Sequence, residues 1–399
     1  MGLSGCLGNS GSDDETLKIG VIGVHSGVFS SMGPPLKRGA NLAAKQINEE
    51  DEGYNVEVIH EDSEGNPDTA VTRARKLIEE DNVDAITGME TSNSAIAVSE
   101  FCASRNTLLV CNTQSMNLQM GDCQRTTFRA QANLTDNARS TADILINEYG
   151  DEIDTIAGIN PDYTFGHESW EEFTSYMDEN HDVEVAYETF TQLGKGNYQN
   201  EIQAIMDAEP DVLYSALFSG DLVTFLQQGN NVDLFEMESL QSDDGPNFCA
   251  VGTGSFPDVP AALGADMPEC LLTATYYPTF PDTEVNNNFV SSFQEEYDRT
   301  PVGISSEGYQ FVDIVKEGAD KAGSKNTDDI VDALEGFEYE APEGKIRLRE
   351  EDHQGIQEYT IQGRMGPVDE FDFYGLAEMM PVEGESVAVP PSSECSLVD

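Results

Sequence analysis

Residues 17–43 read LKIGVIGVHSGVFSSMGPPLKRGANLA. The aliphatic run at 17–24 is strand-like. Leu36, Ala40, Ala43 and Ile47 then recur on one stripe and predict a helix over 35–49, with Pro34 and Pro35 suited to its first turn. Between them lies a loop of Ser26, Gly27, Ser30, Ser31 and Gly33 without Lys, Arg, Asp or Glu. A neutral, hydroxyl- and glycine-rich loop at the carboxyl end of a strand can cradle phosphate, hold a carboxylate, or simply turn the chain.

The same handover recurs outward from this stretch. YNVEVIHED (54–62) precedes a helical pattern over 67–80, in which Ala70, Val71, Ala74, Leu77 and Ile78 share a face. VDAITGM (83–89) precedes SNSAIAVSEFCASR, and TLLVCNT (107–113) follows. Buried Val, Ile and Leu runs joined by helices of this length imply a parallel sheet with helices on both faces. From TTFRAQAN (126–133) the alternation restarts and continues through DTIAGIN, VEVAYETF and VLYSALF, giving a second βα set of similar size. Three late helical segments and β-like GKIRLRE and QEYTIQGR come next, and a Pro-, Ser- and acid-rich stretch from about 382 reads as a tail. The expected class is α/β, two doubly wound halves sharing connections.

Acidic residues number 75 against 20 basic ones, a net charge of -55. Such a surface repels phosphate backbones, so nucleic acid is excluded as a partner. The acids are dispersed through periodic segments and 38% of residues are apolar, so the chain folds rather than staying disordered. The balance fits a halophilic protein of haloarchaeal type, whose self-repulsion is screened by concentrated salt. GLSGC (2–6) resembles a lipobox, with Cys6 as the lipid anchor to a membrane and residues 7–16 as a polar tether. The apolar core of a signal peptide is missing ahead of it. Six further cysteines permit disulfides; Cys249 with Cys270 is the first expectation, Cys123 with Cys102 or Cys111 the second. No CxxC pair occurs and the five histidines sit in no metal-ligand spacing, so neither a metal nor another cofactor is expected.

Enzyme chemistry finds little support. GVIGVHSGVFSSMG has the wrong glycine spacing for a dinucleotide fingerprint, and no GxxxxGK[ST] or GxSxG occurs. Asp243–Asp244 could do acid–base work, yet paired acids are commonplace in so acidic a chain. Recognition is the better reading. Besides Ser26 and Phe29 in the opening loop, Thr91, Ser92, Asn93 and Ser94 follow the third strand, and Thr113, Gln114 and Ser115 follow the fourth. Three hydroxyl-bearing loops at carboxyl ends of parallel strands, beside helix N-termini, suit a carboxylate.

These segments resemble the type I periplasmic binding proteins, in the leucine/isoleucine/valine-binding branch that serves ABC transporters. The likeness runs through IGVIGVHSGVFSSMGPPLKRGANLAAKQIN, NPDTAVTRARKLIEEDNVDAITGMETSNSAIAVSE, TFRAQAN and SSEGYQFVDIVKEGADKAGS, over roughly 17–365. It implies two lobes joined by three crossing segments that close on a small ligand like a hinged trap. The implied division is a start and tether at 1–16, a first lobe at 17–130 plus 275–342, a second at 131–274 plus 343–381, and a tail at 382–399. Carried over by position, Ser92 and Ser115 would hold a ligand carboxylate and Thr113 would offer backbone. Phe165, where Tyr is more usual, would cover the ligand, with Phe218 nearby. Asp244, or else Asp243, would take an ammonium, where Glu is more usual. The implied function is capture of a small amino-acid-like solute, foremost a branched-chain amino acid, for delivery to an ABC permease at the outer face of the membrane, without catalysis. An amide, urea or aromatic acid as ligand, a ligand-sensing receptor module, and a two-lobed α/β hydrolase are the competing expectations.

Overall fold

A computed structural model describes residues 16–397 apart from 28, 51, 90, 122, 243–244, 247, 251–255 and 396. Cys6, Asp243 and Asp244 lie outside the described residues. β1 (Thr16–Gly23), α1 (Gly33–Glu50), β2 (Asn55–Asp62), α2 (Pro67–Glu79), β3 (Ala85–Gly88), α3 (Ser92–Ser104), β4 (Leu108–Cys111) and β5 (Thr127–Arg129) follow in turn. The strands form one parallel sheet in the order β2-β1-β3-β4-β5.

α4 (Leu134–Tyr149), β6 (Thr155–Pro161), α5 (Thr164–His181), β7 (Glu184–Thr191), α6 (Gln199–Ala208), β8 (Val212–Ser215) and α7 (Ser219–Asn230) build the second lobe. The hairpin β9 (Gln241–Ser242) and β10 (Gly245–Pro246) leads to β11 (Phe248–Ala250), α8 (Asp258–Leu263) and β12 (Leu271–Ala274). α9 (Glu284–Tyr297), α10 (Gly303–Ala322), α11 (Thr327–Leu334) and the antiparallel β13 (Glu338–Ala341), β14 (Gly344–Leu348) and β15 (Gly355–Gln357) lie with the first sheet. β16 (Tyr359–Gly366), β17 (Gly375–Met379), β18 (Val382–Glu383) and α12 (Gly384–Val387) end the chain. The second sheet is ordered β17-β16-β12-β11-β8-β6-β7, with β18 beside β16. The chain thus passes between the sheets three times, after β5, after β12 and between β15 and β16.

Side-chain alternation explains why the strands read as unbroken apolar runs. Leu17, Ile19 and Val21 of β1 pack with Leu36, Ala40, Phe311 and Val315, while Ile22 meets Ala74, Leu77 and Val98 on the opposite face. In β4, Leu108 and Val110 join the first cluster and Leu109 and Cys111 the second. Both faces are covered, so both parities must be apolar. Ile346 and Leu348 also enter the first cluster, so β14 belongs structurally with β1 rather than with the second sheet.

The same parity corrects the expected disulfides. Cys249 packs with Phe173 and Tyr214, whereas Cys270 packs with Phe248 and Leu272. The two lie in opposite core layers of the second sheet and are free thiols. Cys102 and Cys111 are likewise free and buried, and Cys123 is bonded to Cys395 instead, across 272 residues. The end of the chain is therefore not a loose tail. Tyr359 pairs with Glu383, Arg349 Nη1 donates to the Val389 carbonyl at 2.8 Å, and the disulfide pins Cys395. Closing so long a loop restricts the unfolded chain, so Cys395→Ser should lower unfolding stability by about 4 kcal/mol. Urea titration of the oxidised variant checks this; a midpoint equal to wild type would mean that the bond does not form. Among the described residues no helix is long and apolar enough to cross a membrane.

Candidate functional site

The carboxyl ends of β1, β2, β3 and β4 face the start of α5 and α7 across a cavity of about 240 Å³. That is small beside the roughly 300–1,000 Å³ of sites for drug-sized molecules. Phe29, Met32, Gly65, Pro67, Thr91, Ser92, Asn93 and Gln114 line it from the first lobe, and Tyr163, Thr164, Phe165, Leu193 and Phe218 from the second. Among the described residues no Asp, Glu, Lys, Arg or His lines it.

The polar end is the N-terminus of α3. Thr91, the N-cap, has extended backbone but makes no side-chain cap bond; its hydroxyl donates to Ser94 Oγ at 2.7 Å. The first-turn amides at Ser92 and Asn93 thus receive no acceptor from the cap and open beside the cavity with the positive end of the helix dipole. Met89, just before this turn, has φ 70, as Ser219 has φ 52 at the start of α7. Left-handed backbone at non-glycine residues is strained and clusters where ligand segments must be aimed.

The other walls are rings. Phe29 and Phe218 stack across the cleft with centroids 6.3 Å apart and planes at 14°. Phe165 meets Phe218 edge-on at 5.9 Å, and Tyr163 lies 5.9 Å from Phe165. Burial pushes the Tyr163 phenol well up, so this hydroxyl stays neutral. A second hollow of about 300 Å³ shares Phe29, Met32, Leu193 and Phe218 and continues past Gly194 and Gly220, so the stacked pair stands between the cavity and an outer mouth.

Of the residues singled out from sequence, Phe29, Thr91, Ser92, Phe165 and Phe218 come together here. Ser26 is exposed and faces Asp62 instead. Burial raises the Asp62 carboxyl, but the amides of His25 and Glu64 and the Ser26 hydroxyl hold it below its ordinary value. Thr113 is buried with its hydroxyl unpartnered, and does not line the cavity. Ser115 is buried too: its hydroxyl accepts from the Asn117 amide at 3.3 Å and donates to Glu168 Oε1 at 3.2 Å. That bond ties the β4 loop to α5 of the other lobe. Burial pushes the Glu168 carboxyl above its ordinary range.

Asn93 and Gln114 belong to the strand-end loops singled out from sequence, whereas Met32, Gly65, Pro67, Tyr163, Thr164, Leu193 and Glu168 are not among the residues that sequence reading names. Gly65 and Pro67 follow β2, so the strand-end rule that found the other loops reaches them as well. Gln114 lies between two residues already singled out; its Nε2 donates to Asn112 Oδ1 at 3.0 Å while Oε1 is buried and unpartnered. Leu193 carries no sequence signal.

The chain superposes on an amino acid ABC transporter substrate-binding protein from Pseudomonas fluorescens with a TM-score of 0.81, at 22% identity, covering 96% of this chain and 99% of that one. It matches equally an ABC transporter solute-binding protein from Rhodopseudomonas palustris in complex with 3,4-dihydroxybenzoic acid, TM-score 0.81, 20% identity, over 93% and 98% of the two chains. At these identities the likeness establishes the fold. An amino acid binding protein from Pseudomonas aeruginosa is 32% identical over 102 residues, and the chain spans about a quarter of that relative, 27% of its length. Residues 16–363 match the periplasmic binding protein family, and the chain belongs to it.

Proposed function

We propose that this protein is the solute-capturing component of an ABC transporter, and that it closes on a small carboxylate with a flat, apolar body, an aromatic monocarboxylate above all. The observation that supports this most is the pairing of an uncapped helix N-terminus with walls of Phe29, Phe165 and Phe218, and with no charged side chain on the described lining. Amides of α3 and the Ser92 hydroxyl would receive the carboxylate by charge-assisted bonds, and the rings would sandwich the body. No residue in this scheme does covalent chemistry. Hinge closure brings Phe29 onto Phe218 and Ser115 onto Glu168, and the closed form is what a permease would recognise. The lipobox-like GLSGC would hold the protein at the outer membrane face through Cys6, and the charge of -55 supports work in concentrated salt.

A second reading, a branched-chain amino acid, is favoured by Glu168. Its Oε2 is buried and unpartnered while Oε1 accepts from Ser115, so it is an acceptor that an ammonium group could use. A thermal-shift screen in molar salt separates the readings, because a ligand stabilises by about RT ln(1 + [L]/Kd). Benzoate and 4-hydroxybenzoate should raise the midpoint, while leucine, isoleucine, urea and acetamide should not. A leucine shift exceeding that of every aromatic acid would overturn the aromatic reading. Phe218→Ala should weaken the best aromatic ligand about tenfold, the worth of one lost ring contact in a dry site.

A further inference from the structure

Away from the ligand cavity, an uncompensated acidic pair lies beside the first crossing between the lobes. Glu307 of α10 and Glu343 of the β13–β14 turn are only 2% and 1% exposed. The Ser306 hydroxyl donates to Glu343 Oε1, and Gln310 Nε2 donates to the same oxygen at 3.3 Å. Asn112 lies against Glu307, and the Gln131 amide lies against both carboxyls. No Lys, Arg or His is among the groups acting on either acid, and the charge of Glu307 acts on Glu343. Other buried charges here are answered: Arg349 Nε donates to Asp352 at 2.7 Å, and Asp136, Asp352 and Glu168 surround Arg129.

An independent observation points to a missing partner. Glu343 Oε2, Gln310 Oε1 and Gln131 Oε1 are buried acceptors without a hydrogen-bond partner, on residues no more than 1% exposed, and Gln131 Nε2 is the one buried donor left unpartnered beside them. Buried acceptors are normally satisfied. One amide nitrogen cannot serve all three acceptors, and oxygens gathered around two carboxyls match the preference of hard cations such as sodium, potassium or calcium rather than of transition metals. Among the described residues no three His, Cys, Asp or Glu converge, so amide and hydroxyl oxygens must complete the shell. We propose that Glu307, Glu343, Gln131, Ser306 and Gln310 enclose a binding site for a hard, oxygen-liganded cation. The ion would join α10, the β13–β14 turn and the first crossing, stiffening one of the three hinge segments.

The test is thermal unfolding of the full chain in sodium, potassium or tetramethylammonium chloride at one ionic strength, with a further arm of millimolar calcium in the tetramethylammonium salt. Screening is equal in all arms, so only ligation distinguishes them. At least one metal cation should raise the midpoint by about 4 °C over tetramethylammonium alone, the effect of a ligand at about a hundredfold its Kd. Glu343→Gln should abolish that gap, while Glu340→Gln, at an exposed neighbouring acid, should preserve it. Equal midpoints in all salts for wild type, as an acid pair neutralised by protons alone would give, overturn the proposal. So does an undiminished gap in Glu343→Gln. Should that variant not fold, Glu307→Gln and Gln131→Met ask the same question, and a full gap in either overturns it.

Discussion

Ser92→Asp should abolish solute binding and leave the fold standing. The residue is the first of α3, beside the amides that open on the cavity, and that first turn contains no acid. An aspartate there complements the helix dipole, so unfolding stability should hold or rise by a few tenths of a kcal/mol. The same carboxylate occupies the position where a ligand's own would bind, removing its charge-assisted bonds and adding repulsion in a water-poor cleft. A rise in Kd of at least a hundredfold is expected, about 3 kcal/mol. Calorimetry with the best ligand of the thermal screen, alongside urea unfolding, reads both effects. Ser92→Ala separates them further: it keeps the backbone amides and should cost less than tenfold. Should Ser92→Asp bind within threefold of wild type, the ligand carboxylate does not sit at the start of α3.

That contrast between Ser92 and Ser115 shows what sequence discloses and what it hides. Both follow parallel strands at their carboxyl ends, and strand-end position is legible because covered sheets write themselves as alternating runs such as Leu108 to Cys111. The loops at 26–33, 91–94 and 113–115 are legible together for that reason, and with them Phe29, Thr91 and Ser92. What removes Ser115 from the cavity is Glu168, a partner 53 residues away on the other lobe. Nothing local announces such a partner. Cys249 and Cys270 fail for a comparable reason: nearness in sequence suggested a bond, whereas their core layers put their side chains apart. Phe165 and Phe218 were located by family likeness and not by periodicity. Each caps or begins a helix, at a spot where apolar residues are equally at home in the core. The mixed lining, with rings from both lobes beside the start of α3, emerges only when the two lobes face each other.

A large loss of stability should also come from two glycines that line no part of the ligand cavity. α1 and α10 lie side by side over the first sheet, and their backbones nearly touch. A Cβ on Gly39 would stand 1.9 Å from the Ser305 carbonyl oxygen, and one on Gly308 would stand 2.1 Å from that of Leu36. Both obstacles are backbone, so no rotamer change relieves them. The helices must separate by an ångström or more, which opens the layer holding Leu36, Ala40, Phe311, Val312 and Val315. Overpacking of this kind costs up to about 3 kcal/mol, and the gap then left in the core adds to it. Gly39→Ala and Gly308→Ala should therefore each lower unfolding stability by about 3 kcal/mol in urea titrations. One separation relieves both clashes, so the double variant should lose clearly less than the sum of the singles. Ligand affinity should fall as well, because α1 carries the loop of Phe29 and Met32 at its start. Single variants that unfold at the wild-type midpoint would mean that the two helices stand farther apart in solution, and that the cavity wall built on α1 is set back with them.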